Sequence, residues 1–453
     1  MAKRLVVIGG TAAGLSAASK AKRNMPELEI EVYEKSGYVS YGACGLPYFV
    51  GNLIHEPEDL VSLTADQLRT KRGIPTYIHH EVTAIDRVAK IVTVSNLDTG
   101  DRFERPYDAL VIATGAVPVL PPIPGIHAEG VHCLRTVESG IALKARVQCG
   151  AKKAVVIGGG FIGLEVAEEL ALSGVQVTLL EGEKRLLTFL NEEYAAEVER
   201  TLSAGGVSVH TGCPAKEIIL QSGRAAGVLG ADGCVYDADL VLVAVGVRPC
   251  ADLARAAGLA LGYKGGIVVD EHLQTSDPSI WACGDCVQMR NLITGEPCYV
   301  PLGTTANKQG RIAGGNLTGE DGCFRGVLAS QVTKVFDLYI ASTGLSMEQA
   351  RSAGFDPACT AITKGDRASY YPGGGDNHLY LVFDRHTGRL LGAQGIGTAS
   401  VAGRINVLVA AITSGMTVSQ LNELDLVYAP PVAPVYDPIL IAASQALKKV
   451  DKK

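Results

Sequence analysis

Short, unbroken apolar runs occur at two places where glycines follow at once. Leu5–Ile8 (LVVI) leads into Gly9, Gly10 and Gly14, and Ala154–Ile157 (AVVI) leads into Gly158, Gly160 and Gly163. Runs this short and this rich in β-branched residues read as buried strands of a parallel sheet. After each glycine cluster the pattern becomes helical, first in AAGLSAASKAKR and then in FIGLEVAEELALSG. Each helix gives way to a second strand, EIEVYE ending in Glu34 and VQVTLLEGE passing through Glu181. The chain therefore predicts the same strand–turn–helix–strand unit twice.

The turns have the chemistry of phosphate loops. Small residues at Ala12, Ala13 and Gly14 let the first helix come close to its strand, and the free amides of a helix N-terminus hold a pyrophosphate. Thr11 stands where the middle glycine of GxGxxG would be. The second loop is complete, with Phe161 and Ile162 opening its helix before Gly163. Glu34 lies 20 residues past Gly14 and Glu181 lies 18 past Gly163, where an acid bonds ribose hydroxyls. Such an acid at Glu181 repels a 2′-phosphate, which favours NADH, while nearby Lys184 and Arg185 leave NADPH possible. Either loop taken alone could be a purely structural turn.

Between the two units lies SYGACGLPYF. Pro47 suits the first turn of a helix, which places the Cys44 sulfur near a helix N-terminus, where the dipole and free amides favour thiolate. An ordinary thiol is mostly protonated at neutral pH, so nucleophilic exchange needs such a shift. The alternative is an inert, buried cysteine. Cys283 and Cys286 form CxxC around Gly284 and Asp285 and read as packing residues. No metal site is expected, and Cys323 is among the cysteines that show no constellation.

Composition narrows the class. The 453 residues, 47% apolar and 19% charged with 53 glycines, suit an α/β protein of about three domains. A net charge of −6 with no long basic run argues against a nucleic-acid partner. No window of about 20 apolar residues appears, so no membrane span is expected. Gly9, Gly10 and Gly14 break the apolar start, so it reads as a strand and not a signal segment. Eleven irregularly spaced cysteines read as reduced thiols in a cytoplasmic protein.

Three later segments complete the pattern: DALVIATGAVP with Thr114 and Gly115, DLVLVAVGVRP with Gly246, and TSDPSIWACGDC with Gly284 and Asp285. In this order they resemble the motifs of two-dinucleotide flavoproteins. The whole chain resembles the single-cysteine branch of the pyridine nucleotide–disulfide oxidoreductases. Within that branch it resembles coenzyme A-disulfide and persulfide reductases, with NADH oxidases and peroxidases as cousins. Disulfide reductases of the glutathione type carry a second cysteine where this chain has Phe49. The peroxidases and oxidases carry a histidine where it has Ala12.

The resemblance implies an α/β fold with two Rossmann-like domains, the NAD domain inserted in the FAD domain, and a C-terminal α+β dimerisation domain. The expected boundaries are 1–147 and 272–323 for FAD, 148–271 for NAD(P)H and 324–453 for dimerisation. It implies FAD at the first loop, with Asp285 on the ribityl chain, and NADH at the second. It also implies a homodimer in which Tyr370 (or the adjacent Tyr371) and Tyr428 reach the partner's cysteine and protonate a departing thiolate. Ser40, Arg23 and Lys71 become contacts to coenzyme A. The implied activity is reduction of a small-thiol disulfide or persulfide, foremost that of coenzyme A, through a mixed disulfide at Cys44. The rivals are a water-forming NADH oxidase cycling Cys44 through sulfenate, a flavin electron carrier for a protein partner, and a redox-sensing scaffold.

Overall fold

The structure is a computed structural model and describes residues 3–451. The first apolar run forms the strand Arg4–Ile8 at the centre of a five-stranded parallel sheet. Glu29–Tyr33 and Thr76–Tyr77 lie on one side of it, Ala109–Ile112 and Ile280–Ala282 on the other. The second run, Lys153–Ile157, is central in another five-stranded parallel sheet, between Gln176–Leu180 and Leu240–Val243. Both central strands are solidly apolar because both of their faces are covered; Val7, Val155 and Val156 have no exposed surface. A three-stranded antiparallel meander accompanies each sheet, His80–Pro106 with the first and Ala215–Asp237 with the second.

The insertion predicted from the motif order is present, but its ends differ from 148 and 271. Val131–His132 already pairs with Leu240–Val243 on the edge of the second sheet. On the return, Ala251, Ala254, Leu259 and Ile267 pack with Val6, Ile8 and Tyr33 of the first. The two passes of the chain between the sheets are Ala116–Pro118 and Val247–Pro249, which pair antiparallel. A two-residue edge strand has no hydrophobic period to betray it, so the sequence placed the first crossing too late. Helix Gly303–Asn316 then packs along helix Ala12–Asn24, returning the chain to the first sheet.

The C-terminal part is an antiparallel sheet in the order Gln331–Val335, Leu338–Gly344, Leu390–Gly397, Asp376–Asp384, Pro357–Gly365. Helices Ser400–Thr413 and Pro438–Leu447 cover it through Val401, Ile405, Leu408, Ile439 and Ala442. The predicted α+β layer is therefore found. Among the described residues no helix is long and apolar enough to cross a membrane.

One buried cation holds together the two segments that carry the predicted tyrosines. Arg404 is 6% exposed and donates to the Asp437 carboxylate at 2.9 and 3.1 Å, to Ser400 Oγ at 2.6 Å and to the Asp366 carbonyl at 3.0 Å. Asp437 in turn caps the last helix through the Ile439 amide. Removing the guanidinium leaves a buried carboxylate without its cation, which costs about 3–5 kcal/mol. Arg404→Ala is therefore expected to lower the melting temperature and to speed hydrogen exchange in 366–371 and 428–437 before the rest of the chain. Unchanged exchange there would contradict this account.

Candidate active site

Each glycine turn follows from a contact between backbones. Gly9 has φ +106°, and a Cβ there would lie 2.3 Å from the Ala113 carbonyl oxygen; Gly158 has φ +112° and the same conflict, at 2.5 Å, with Ala244. Only glycine fits the end of a strand held this close to its neighbour. Gly14 and Gly163 then press against the carbonyls of Gly9 and Gly158, where a Cβ would sit at 2.0 and 1.9 Å. The middle position is different. Nothing lies within 4 Å of a Cβ built on Gly160, which explains how the first loop accommodates Thr11 at the matching place.

Both turns open into one continuous cavity of about 1900 Å³. Ordinary small-molecule sites measure roughly 300–1,000 Å³, so this one has room for two dinucleotides. Thr11, Ala12, Ala13 and Glu34 line it at the first turn, and Gly160, Phe161, Ile162 and Glu181 at the second. Thr114, Gly115 and Gly246 line the stretch between the sheets, with Gly284 and Asp285 deeper in. The two acids are held alike. Glu34 accepts from the Gly10 and Ser36 amides at 2.8 and 2.9 Å, and Glu181 accepts from Gly159 and Glu183 at 2.5 and 2.7 Å. Each carboxylate is thereby fixed at a strand end. Arg185 is engaged by Glu192 and Glu348, at 3.8 and 3.5 Å.

Asp285 provides the test of fit for a polar cofactor. Burial pushes its carboxyl up, against the pull of Arg135, whose guanidinium donates to Oδ2 at 3.1 Å. Oδ1 is buried without a partner, as is Nε2 of Gln309, whose Oε1 accepts from the Gly284 amide at 2.8 Å. An orphaned oxygen at the cavity wall, as Asp285 presents, is what a hydroxylated ligand satisfies. The residues therefore fit a flavin nucleotide at the first turn.

Cys44 lies in the 3₁₀ turn Ala43–Gly45, ahead of the five-residue helix Leu46–Val50, with Pro47 in its first turn as predicted. Its side chain is open to the cavity, but the expected shift toward thiolate is not found. The surrounding walls desolvate the sulfur and push the thiol up, Glu165 adds to this, and Arg135 opposes it. One turn of helix contributes too little to outweigh a carboxylate. Glu165 lines the same cavity and takes the Thr333 hydroxyl at 2.8 Å. Its own carboxyl is pushed up by burial, with Glu168 and Glu169 adding to the shift.

The other predicted residues lie elsewhere. Ser40 is not part of the cavity lining; its backbone is tied to Gly10 and Ser62 at 2.9 and 2.8 Å. Arg23 and Lys71 are exposed at the ends of helices Ala12–Asn24 and Ala65–Arg72, outside the cavity. Tyr370 and Tyr428, 74% and 45% exposed, do not line the cavity of their own chain. Their hydroxyls meet each other at 3.3 Å. Cys283 and Cys286 are fully buried, as packing residues should be. Sequence reading missed Arg135, which no motif marks. It also missed the role of Glu165, although that residue closes the second glycine motif.

Glu165 is negative in the pH range where a raised thiol titrates, and its charge opposes formation of a second anion. Glu165→Gln is therefore expected to move the pH midpoint for alkylation of Cys44 by iodoacetamide downward. An unmoved midpoint would remove Glu165 from the site's electrostatics.

Residues 3–310 match the family described as pyridine nucleotide-disulphide oxidoreductase, and residues 330–437 match its dimerisation domain. An NADH oxidase of Methanocaldococcus jannaschii is 38% identical, covering 99% of this chain and 100% of that protein. An NAD(P)H coenzyme A polysulfide/persulfide reductase of Pyrococcus horikoshii is 36% identical over 98% of each. The solved NAD-dependent persulfide reductase of A. fulgidus has a TM-score of 0.96 and 43% identity, covering 98% of this chain and 83% of that one. On motif order, fold and these likenesses together, the chain belongs to the pyridine nucleotide-disulphide oxidoreductase family, whose members are flavin- and NAD(P)H-dependent.

Proposed function

We propose that the protein is a homodimeric FAD enzyme that uses NADH to reduce a low-molecular-weight disulfide or persulfide, foremost that of coenzyme A. The observation that carries this reading is Cys44, the one exposed sulfur among the four cysteines that line the cavity shared by two dinucleotide turns. Buried Phe49 stands where a second redox cysteine would be needed for an internal disulfide. A lone sulfur exchanges with its substrate through a mixed disulfide. Names of relatives support the substrate class, since the similar proteins include coenzyme A polysulfide/persulfide and NAD-dependent persulfide reductases.

In this reading Glu34 and Glu181 hold ribose hydroxyls, and Asp285 holds the ribityl chain. Bound flavin supplies the transfer of two electrons from NADH to sulfur. The Cys44 thiolate attacks the substrate disulfide; that S–S bond breaks and one thiolate leaves. Tyr428 or Tyr370 of the partner subunit gives that thiolate its proton. The phenols suit a donor because both are exposed on their own protomer, and the hydrogen bond between their hydroxyls, the chief cause pushing Tyr428 up, keeps its proton in place at neutral pH. Two electrons then break the mixed disulfide, freeing the second thiol and restoring Cys44. Arg23 and Lys71, with Lys22, Arg69 and Arg72 nearby, would meet the phosphates of coenzyme A. Lys22 and Arg69 already have partners in Leu28 O and Asp66.

The resemblance to an NADH oxidase favours a second reading, in which Cys44 cycles through sulfenate. Anaerobic NADH oxidation with coenzyme A disulfide separates the two. Turnover in the wild type that falls to background in Cys44→Ser is expected. Turnover only with oxygen present would favour the oxidase. NADH preference rests on Glu181, with Arg185 occupied by its two glutamates. Losing charged hydrogen bonds to ribose costs roughly tenfold or more. Glu181→Ala is thus expected to raise KM for NADH by that factor and to narrow the preference over NADPH; an unchanged ratio would refute the assignment.

A further inference from the structure

We propose that Cys323, His272 and Glu271 form a surface site for a borderline divalent cation of the zinc type, away from the cavity and independent of its chemistry. Each offers one donor atom, and these atoms lie within 4.8 Å of one another. Cys323 Sγ stands 4.0 Å from His272 Nδ1, the nitrogen that would take the ion in exchange for its 3.2 Å contact with the Gly322 carbonyl. Asp321 brings a second carboxylate to 3.4 Å from Nδ1. Zinc bonds of about 2.3 Å to sulfur and 2.0–2.1 Å to nitrogen, at the tetrahedral angle, set those two atoms about 3.5 Å apart. The observed span therefore needs only a small closure of side chains.

The backbone is already arranged for it. His272 and Cys323 lie 51 residues apart, on the turn after Asp270 and on the loop after Glu320, and one side chain clamps both segments. Asn316 donates to the His272 and Gly322 carbonyls at 3.0 and 2.7 Å and accepts from the Gly322 amide at 2.7 Å. The Phe324 amide donates to the Glu271 carbonyl at 2.7 Å. Glu271 and Cys323 are exposed, so an ion has an open path of entry. The donor set selects the metal: thiolate with imidazole and carboxylate suits zinc and is wrong for calcium or magnesium, which take oxygen ligands. Desolvation and the Glu271, Asp321 and Asp270 carboxylates push the Cys323 thiol up. Zinc binding would form the Zn–S bond and release that thiol's proton to solvent. The fourth ligand would be Asp321 or water. The site would tie the flavin-side turn to the loop that leads into the dimerisation domain.

The test uses chelator-treated flavoenzyme carrying Cys44→Ser, which removes the cavity thiol as a competitor. Zinc is titrated against a chromophoric chelator, and cobalt serves as an optical probe in the red, beyond the flavin's absorption. One equivalent of zinc per chain is expected, with affinity at least tenfold weaker in Cys323→Ser and in His272→Ala but unchanged in Cys149→Ser. A cobalt–thiolate band is expected, and it should be lost in Cys323→Ser. In the unsubstituted enzyme, excess zinc should slow alkylation of Cys323 at least tenfold, a readout that no folding defect of a variant can imitate. Equal zinc affinity in all variants, or alkylation of Cys323 indifferent to zinc, would overturn the proposal.

Discussion

Everything else in this molecule hangs on a backbone-to-backbone contact made twice. At Gly9 the chain leaves its strand against the Ala113 carbonyl, and at Gly158 against Ala244, with no room for a side chain at either place. The contact lets the next helix start directly over the strand end, and it aims that helix's free amides into the space above the sheet. The same turn brings the following strand's acid within reach of a loop amide. Glu34 and Glu181 are thus positioned by the loops whose ligand they would recognise.

Two such turns make one cavity because the chain passes between the sheets as a paired ribbon. Ala116–Pro118 and Val247–Pro249 hydrogen-bond to each other, so the two sheets are joined by a single paired crossing. Cys44 enters this shared space on a short turn backed by Leu46, Phe49 and Val50, which pack with Val137 and Leu164. The Cys44 sulfur is therefore mounted on the core that joins both glycine-turn units.

Legibility in the sequence followed the length of the signal. The solid apolar runs, their glycines and the acids at fixed distances were readable, because parallel strands covered on both faces leave no polar positions. Val131–His132 was not, because two residues carry no period. Arg135 stands just beyond that strand and was lost with it. Long-range meetings were also invisible: nothing local ties Asp285 to Arg135, or His272 to Cys323. The direction of the Cys44 shift was misread for a related reason. The dipole of the adjoining helix is a local inference, whereas the cavity walls and Glu165 come from distant parts of the chain.

That direction has a chemical consequence. Oxidation of a cysteine beyond the disulfide level follows thiolate character and exposure. Cys44 is open to the cavity, and Phe49, at the resolving position, cannot trap a sulfenate there as an internal disulfide. Surroundings that favour the thiol slow attack by stray oxidants at this exposed sulfur. The cost is a smaller fraction of nucleophile at neutral pH. Part of that is returned, because intrinsic nucleophilicity rises with thiol pKa. Desolvation and the carboxylate of Glu165 thus set a balance between protecting Cys44 and using it. A helix dipole at full strength would have tipped that balance toward reactivity.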